Sequence, residues 1–356
     1  MSQSLNRLMV MAGGTGGHVF PALAVAEALQ NRNTQVTWLG TRKGLEATVV
    51  PANDIDIEWI TIEGLRGKGF ISWLIAPVKL IRAMWQSVVA IRKVKPDCVL
   101  GMGGFVAGPG GLVARLMGKP LVVHEQNAVA GLTNKYLAKI ASKVLTGFPD
   151  VKGFGKNATW VGNPVRPSIT ASDGTSAADE GINILVIGGS QGALSFNQHL
   201  PSLFAKIKSS INVWHQTGRA KSQEVTDTYR KIGLPTKVTE FIDDMAEAYM
   251  WADLLVCRAG AMTIAECCAA ARPTLLIPYP HSAGDHQFIN AQALSSIGAG
   301  VILANHELSS SHAVAVLEEL LSDKAKLIEM GEKAATLHKP DALDQVVKIC
   351  EEVMNA

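Results

Sequence analysis

Leu8-Met9-Val10-Met11-Ala12-Gly13-Gly14-Thr15-Gly16-Gly17 is an apolar run that breaks into glycines just ahead of a helix-forming stretch. Ile184-Leu185-Val186-Ile187-Gly188-Gly189-Ser190-Gln191-Gly192-Ala193 repeats the pattern in the second half of the chain. A strand that ends in glycines and opens a helix is the start of a doubly wound α/β unit. Two such starts predict two units, and 356 residues suit about two domains at roughly 150 residues each.

Working outward, short apolar runs alternate with helix-length amphipathic segments along the whole chain. Strands are expected at 7–12, 35–40, 58–62, 97–102, 120–124 and 143–146, with helices at 21–30, 77–94, 107–117 and 132–140. The second half carries runs at 182–187, 212–216, 237–240, 254–257, 274–278 and 300–303. This alternation predicts parallel sheets covered by helices on both faces, hence the α/β class. Residues 149–181, rich in Gly, Pro, Ser, Thr, Ala and Asp and without periodicity beyond one short run near Trp160, read as the interdomain connection, and the tail from residue 309 reads as helical.

Composition removes several classes. Hydrophobic residues are 47% and charged residues 18%, which excludes a disordered chain, a coiled coil and a collagen-like repeat. The net charge is only +2, yet residues 1–150 carry +7 and the remainder −5. Between residues 64 and 96 stand seven Lys or Arg and no acid, a stretch suited to an anionic surface or substrate. The five cysteines show no CxxC spacing and mostly sit in apolar runs, so they read as buried small hydrophobes in a reducing compartment. No signal peptide or spanning segment is expected: the protein reads as cytosolic, or as resting on a membrane without crossing it.

The glycine loops let backbone amides approach an anion. Neither spells GxGxxG, no acid ends the second strand of either half, and no GxxxxGK[ST] occurs, which argues against a dinucleotide and a P-loop nucleotide. The missing acid stands elsewhere, in Arg258-Ala259-Gly260-Ala261-Met262-Thr263-Ile264-Ala265-Glu266 after the run at 254–257. Glu266 could close a capping box with Thr263, or accept ribose hydroxyls while the Ala261, Met262 and Thr263 amides hold a diphosphate. Asp54-Ile55-Asp56 is a literal DxD but reads as a solvated turn, and the nine histidines form no HxH or HxxxH pair, so no metal site is expected.

GGTGGHVFPALA, GLRGKG, GMGGFVAGPGG, HEQNAVAGLTNK, GNPVR, GGSQGA, EFIDDM, CRAGAMTIAE and DHQFINA follow one another in this order. In combination, from about Arg7 to the C-terminal helices, they resemble the MurG family of bacterial N-acetylglucosaminyltransferases. The resemblance implies the GT-B fold: two Rossmann-like domains facing a cleft, an acceptor- and membrane-binding one at 1–163, a UDP-GlcNAc-binding one at 164–340, and a last helix, 341–356, returning to the first. It implies inverting transfer of GlcNAc from UDP-GlcNAc to the 4-hydroxyl of MurNAc in lipid I, giving lipid II for peptidoglycan, without cofactor. Ile242 would meet the uracil, Glu266 the ribose, and Ser190, Arg166 and the Ala261–Thr263 turn, with Ile264 and Ala265 behind it, the diphosphate. Gln287, with His286 beside it, would reach the sugar. Thr15, Gly16, Gly17, His18 and Asn127 would come from the opposite domain.

For such a transfer, His18 is the expected general base, since an imidazole titrates close to neutrality. Glu125 is the rival base, or else orients His18 or Asn127. An inverting displacement needs no covalent sugar intermediate. The acceptor's polyprenyl tail gives the basic stretch a purpose: Phe70, Trp73, Leu74 and Ile75 read as an apolar tip, with Lys79 and Arg82 as cations for anionic lipid. The blander reading is an amphipathic core helix whose apolar face carries Ile81, Trp85 and Val88. No nucleic-acid motif accompanies the charge. The expected location is the cytoplasmic face of the bacterial plasma membrane, with other cell-wall enzymes as candidate partners. A UDP-sugar epimerase and a non-catalytic nucleotide-sugar-binding protein are the alternatives.

Overall fold

The computed structural model describes residues 5–64, 70–155, 157–166, 168–169, 181–189 and 192–356. The chain divides into two units, Met1–Pro164 with Asp341–Ala356, and Val165–Pro340.

The first unit runs β1 (Arg7–Ala12), α1 (Gly16–Gln30), β2 (Gln35–Gly40), α2 (Glu46–Ala52), β3 (Asp56–Trp59), α3 (Phe70–Val94), β4 (Cys98–Gly103), α4 (Ala107–Leu116), β5 (Leu121–Glu125), α5 (Leu132–Leu137), β6 (Lys143–Thr146) and β7 (Ala158–Trp160). Among the described residues its strands form one parallel sheet in the order β3-β2-β1-β4-β5-β6-β7. The second unit runs β8 (Ile182–Ile187), α6 (Leu194–Phe204), β9 (Ile211–Gln216), α7 (Ser222–Ile232), β10 (Thr236–Thr239), α8 (Met245–Trp251), β11 (Leu254–Cys257), α9 (Ala261–Ala269), β12 (Thr274–Leu276), α10 (His286–Ser295), β13 (Gly300–Ile302), α11 (Ser311–Leu321) and α12 (Lys324–Ala335). Its parallel sheet is ordered β10-β9-β8-β11-β12-β13. The last helix, α13 (Ala342–Met354), belongs to the first unit.

The central strands are buried along their whole length, as β4 and β8 illustrate, because helices cover both faces. In both sheets the strand order reverses beside the first strand, between β1 and β4 and between β8 and β11. Such switch points leave a crevice at the carboxyl ends of the strands. The glycine turns stand there, after β1 and after β8.

α13 joins the first unit by burying Val346, Val347 and Cys350 against the core under α1. Each fully buried valine contributes about 1.5–3 kcal/mol. Arg32, just past α1, donates to Asp344 at 2.7 Å and Glu351 at 3.3 Å. All five cysteines are buried and unpaired, and burial pushes the Cys98 and Cys268 thiols up to about 12.

Two boundaries differ from the sequence reading. The helices expected to open at Pro21 and Pro77 start earlier, at Gly16 and Phe70, and run through their prolines. Proline suggests a first turn because its missing N–H costs nothing there; Pro21 is buried, and packing offsets that loss inside α1, whereas Pro77 is exposed on α3. β7 falls inside the stretch read as linker and adds an edge strand to the first sheet.

Candidate functional site

In the first unit, Trp38 is fully buried and its indole N–H donates to the Ala12 carbonyl at 2.8 Å, fixing the end of β1. The glycine turn follows. The Gly14 amide donates to Oε2 of Glu46 at 2.9 Å, and the Thr41 amide and hydroxyl donate to its Oε1 at 3.0 and 2.8 Å. Glu46 is wholly buried, so an internal carboxylate meets this turn where a phosphate would be expected. Thr15 caps α1 in an extended conformation without a side-chain bond, and Gly16 and Gly17 are the helix's first two residues.

His18 lies next, against the backbone of Gly103. A Cβ on Gly103 would stand 2.8 Å from the imidazole, and its φ of +105° is open to glycine alone. Gly104 packs on Gly13 as closely, a Cβ there lying 2.3 Å from the Gly13 carbonyl. The GMGG motif thus seats His18 and the first turn. His18 Nδ1 bonds Gln126 Oε1 at 2.9 Å. Beyond the end of β5, Gln126 Nε2 donates to His124 Nδ1 at 3.1 Å, and His124 Nε2 donates to the Gly162 carbonyl at 2.9 Å. Gln126 is a residue that sequence reasoning passed over, although it stands inside the HEQNAVAG motif.

Glu125 is 1% exposed, and both its oxygens are engaged. Oε1 accepts from the Asn127 amide at 3.0 Å and the Asn127 side chain at 2.9 Å; Oε2 accepts from Gly131 at 3.0 Å and Asn134 at 2.9 Å. Four donors on a buried carboxylate leave it no room to take a substrate proton. Its geometry is that of the alternative role, orienting Asn127.

In the second unit, Gly188 and Gly192 are tight: a Cβ would lie 2.3 Å from the Ala193 nitrogen and 2.0 Å from the Thr217 carbonyl respectively. Gly189, with φ +85°, faces open space. Gln216, ending β9, donates to the carbonyls of Gly189 at 3.0 Å and Glu240 at 3.3 Å. It thereby ties this turn to the segment carrying Ile242, which is half-buried between β10 and α8. Ser190 lies outside the described residues.

α9 begins with Ala261, Met262 and Thr263, whose cap residue Gly260 supplies no side-chain bond. Their amides are the first of a helix, so they point at whatever lies beyond its end. Ile264 departs from the expected contact set: its side chain is 1% exposed and its amide donates to Gly260, so it shapes the helix. Ala265 is half-buried on the same helix. The capping-box reading of Glu266 fails. Its Oε2 accepts from the Tyr249 hydroxyl at 3.0 Å and its Oε1 pairs with Arg166 at 3.4 Å. Burial pushes the Glu266 carboxyl up, and Arg166 and Tyr249 pull it back. Tyr249, 1% exposed, is a second residue that sequence reasoning passed over.

Arg258 braces this end of the sheet, donating to Ile277 at 2.9 Å, Pro278 at 3.3 Å and Ser195 at 2.7 Å, and burial pushes its guanidinium down to about 10. Gln287, second in α10, accepts the Tyr279 amide through Oε1 at 2.8 Å, which closes the loop before it and turns its amide N–H groups away from that bond.

The DxD runs from a turn, with φ +55° at Asp54, into the start of the edge strand β3, whereas the glycine turn follows the carboxyl end of the central strand β1. Among the described residues no cluster of three or more His, Cys, Asp or Glu side chains could hold a metal ion.

α3 buries Ala83, Ser87, Ala90 and Ile91 on one face and turns Ile75, Val78, Ile81, Trp85 and Val89 outward. Of the three residues read as a core face, Ile81 and Trp85 are 67% and 66% exposed and belong to a surface stripe, while Val88 is half-buried against the core. Arg82 is exposed and Lys79 half-exposed beside it. The side chains of Phe70, Trp73 and Leu74 lie outside the described residues. No described helix is long and apolar enough to cross a membrane.

Comparison with known proteins matches residues 8–146 to the glycosyltransferase family 28 N-terminal domain and 183–346 to the glycosyltransferase family 28 C-terminal domain. A UDP-N-acetylglucosamine--N-acetylmuramyl-(pentapeptide) pyrophosphoryl-undecaprenol N-acetylglucosamine transferase of Shewanella loihica is 47% identical over 98% of this chain and 97% of its own length. The like-named protein of Halorhodospira halophila is 48% identical over 98% and 99%. Among solved structures, MurG of Acinetobacter baumannii aligns at a TM-score of 0.86 with 37% identity, over 98% of this chain and 99% of that one.

Proposed function

The chain belongs to the family 28 glycosyltransferases that these pyrophosphoryl-undecaprenol N-acetylglucosamine transferases form, and from that premise we propose how its residues divide the reaction. The protein transfers GlcNAc from UDP-GlcNAc to the 4-hydroxyl of MurNAc in lipid I, forming lipid II for peptidoglycan synthesis. The second unit holds the donor. Ribose hydroxyls donate to Glu266, displacing Arg166 toward the diphosphate, which the first amides of α9 and Ser190 also meet. Ile242 receives the uracil by its backbone and Gln287 the sugar hydroxyls.

The first unit supplies the base and the acceptor contacts, with Thr15, Gly16, Gly17 and Asn127 lining the approach. His18 Nε2 takes the proton of the acceptor hydroxyl as that oxygen bonds the anomeric carbon. The bond from that carbon to the β-phosphate oxygen breaks, its electron pair leaves with UDP, and the configuration inverts. The imidazolium later returns its proton to solvent. Leaving-group charge is met by the α9 N-terminus and Arg166, oriented groups that stabilise charge as it develops.

The observation that carries this reading is the Glu266 carboxylate, mostly buried on a helix whose first amides no side chain caps. The exposed stripe of α3, with Lys79 and Arg82 beside it, rests on anionic lipid, each basic side chain adding ~1 kcal/mol near the surface. A soluble epimerase would have no use for that stripe. The enzyme accordingly works at the cytoplasmic face of the plasma membrane, where its acceptor is anchored and other cell-wall enzymes meet it. The test is UDP release from UDP-GlcNAc with and without a lipid I analogue. Acceptor-dependent release with a disaccharide-lipid product is expected; consumption of UDP-GlcNAc without acceptor, giving a changed hexosamine, would replace the transferase reading with an epimerase.

A further inference from the structure

We propose that Gln126 and His124 are positioning residues that hold His18 in the one tautomer able to act as a base. The inference rests on the reading of His18 as the base and adds what prepares it.

The argument begins at a backbone carbonyl. The Gly162 oxygen can only accept, so His124 Nε2, 2.9 Å away, carries the hydrogen. His124 is wholly buried, and that burial pushes its pKa down against the raising effects of Gly162 and Glu125, so the ring stays neutral. A neutral ring protonated on Nε2 offers a lone pair at Nδ1, and Gln126 Nε2 donates to it at 3.1 Å. The same amide nitrogen faces two more acceptors, the His124 carbonyl at 3.3 Å and the Met102 sulfur at 3.8 Å. An amide oxygen would be repelled from all three, which fixes the orientation of Gln126. Its backbone is held too, the Asn163 side chain donating to the Gln126 carbonyl at 2.9 Å.

Gln126 therefore turns Oε1 toward His18. That oxygen only accepts, so His18 Nδ1, 2.9 Å away, must carry the hydrogen, and the lone pair of the neutral ring is left on Nε2. The ring stands so close to Gly103 that a Cβ there would lie 2.8 Å from it, and this contact limits its rotation. A relay of fixed donors and acceptors thus runs from Gly162 to the nitrogen that must take the proton.

The experiment reads the ring nitrogens directly. In histidine-labelled enzyme, nitrogen–carbon correlation spectra report the tautomer of each ring, with His18 identified by its loss in His18→Ala. The wild type is expected to show Nδ1–H for His18 and Nε2–H for His124. In Gln126→Leu, His18 should lose the Nδ1–H signature and kcat should fall about 10-fold or more, within the ~10²–10⁴-fold that a positioned base contributes, while KM for UDP-GlcNAc stays unchanged. A wild-type His18 in the Nε2–H form would overturn the inference, even if Gln126→Leu fails to fold. So would full turnover in Gln126→Leu. Full turnover in His18→Ala would instead remove His18 as the base, so the two failures are distinguishable.

Discussion

After β1, the Gly14 amide is occupied by the carboxylate of Glu46; after β11, the first amides of α9 face outward with no capping side chain. Both places stand at the carboxyl end of a parallel strand beside a switch point, where a doubly wound sheet binds its ligand. The first has supplied its own anion and the second has not. A buried carboxylate under the first turn already takes the amide that a phosphate would need, which is why the diphosphate is proposed for the second unit. The first unit spends its polar groups on internal networks instead, around Glu46, around Glu125, and from Gly162 to His18. The lesson is that a glycine turn marks where an anion could sit, and the side chain that reaches it decides whether one does.

The division can be broken most sharply at His18. His18→Ala should lower kcat by ~10²–10⁴-fold, the usual contribution of a positioned base, and leave UDP affinity untouched in calorimetric titration. Loss of UDP binding in that variant would show that the two units do not separate catalysis from donor binding. Glu266→Ala should do the reverse, weakening UDP binding roughly 10- to 100-fold. That corresponds to one hydrogen bond to a charged group at ~1.5–3 kcal/mol, with tenfold per about 1.4 kcal/mol.

The pH dependence of donor affinity sharpens the same point. In the proposed donor site ribose hydroxyls donate to the ionised Glu266, so affinity should fall on acidification as Glu266 protonates. Because burial raises its pKa, the fall should begin above the ordinary carboxylate range. Glu266→Gln should abolish that pH dependence; a curve unchanged in this variant would assign the titration to another group.

Glu46→Gln tests the other side of the comparison. It weakens the bonds to Gly14 and Thr41 and should cost about 1–3 kcal/mol of stability in denaturant unfolding, with UDP affinity unchanged. A second, weaker UDP site appearing in this variant would show directly that the carboxylate excludes an anion from the first turn. The smallest effect is expected at the outer stripe of α3. Ile81→Glu with Trp85→Glu should weaken sedimentation with anionic vesicles by roughly 10-fold, because side chains only partly withdrawn from water at an interface contribute a fraction of the ~1.5–3 kcal/mol of full burial, and leave UDP affinity alone. Equal binding of variant and wild type would retire the membrane role of this face.

Much of the fold was legible because parallel strands buried on both faces are written as continuous apolar runs, and 7–12, 182–187 and 254–257 needed no other information. Pro21 misled because proline's local preference was read without the packing that overrides it. Glu266 was legible as an acid in the right turn, but its choice between cap and ligand was not. Tyr249 and Arg166 take its two oxygens and so remove the capping-box reading, and they stand 17 and 100 residues away in sequence. The α3 stripe read equally well as a core face or a surface, because periodicity reports that a face is apolar and not what covers it.

What the sequence determined alone is what local chemistry can specify: the alternating strands and helices, the two glycine turns, and the residue types gathered behind them. Tertiary structure decided which turn is filled, which nitrogen of His18 keeps its lone pair, and which face of α3 meets solvent. The physical reason is distance along the chain. Gly14 and Glu46 are 32 residues apart, and His18 and Gln126 are 108 apart. Hydrogen bonds over such separations depend on the order and register of parallel strands, which no local pattern of residues records.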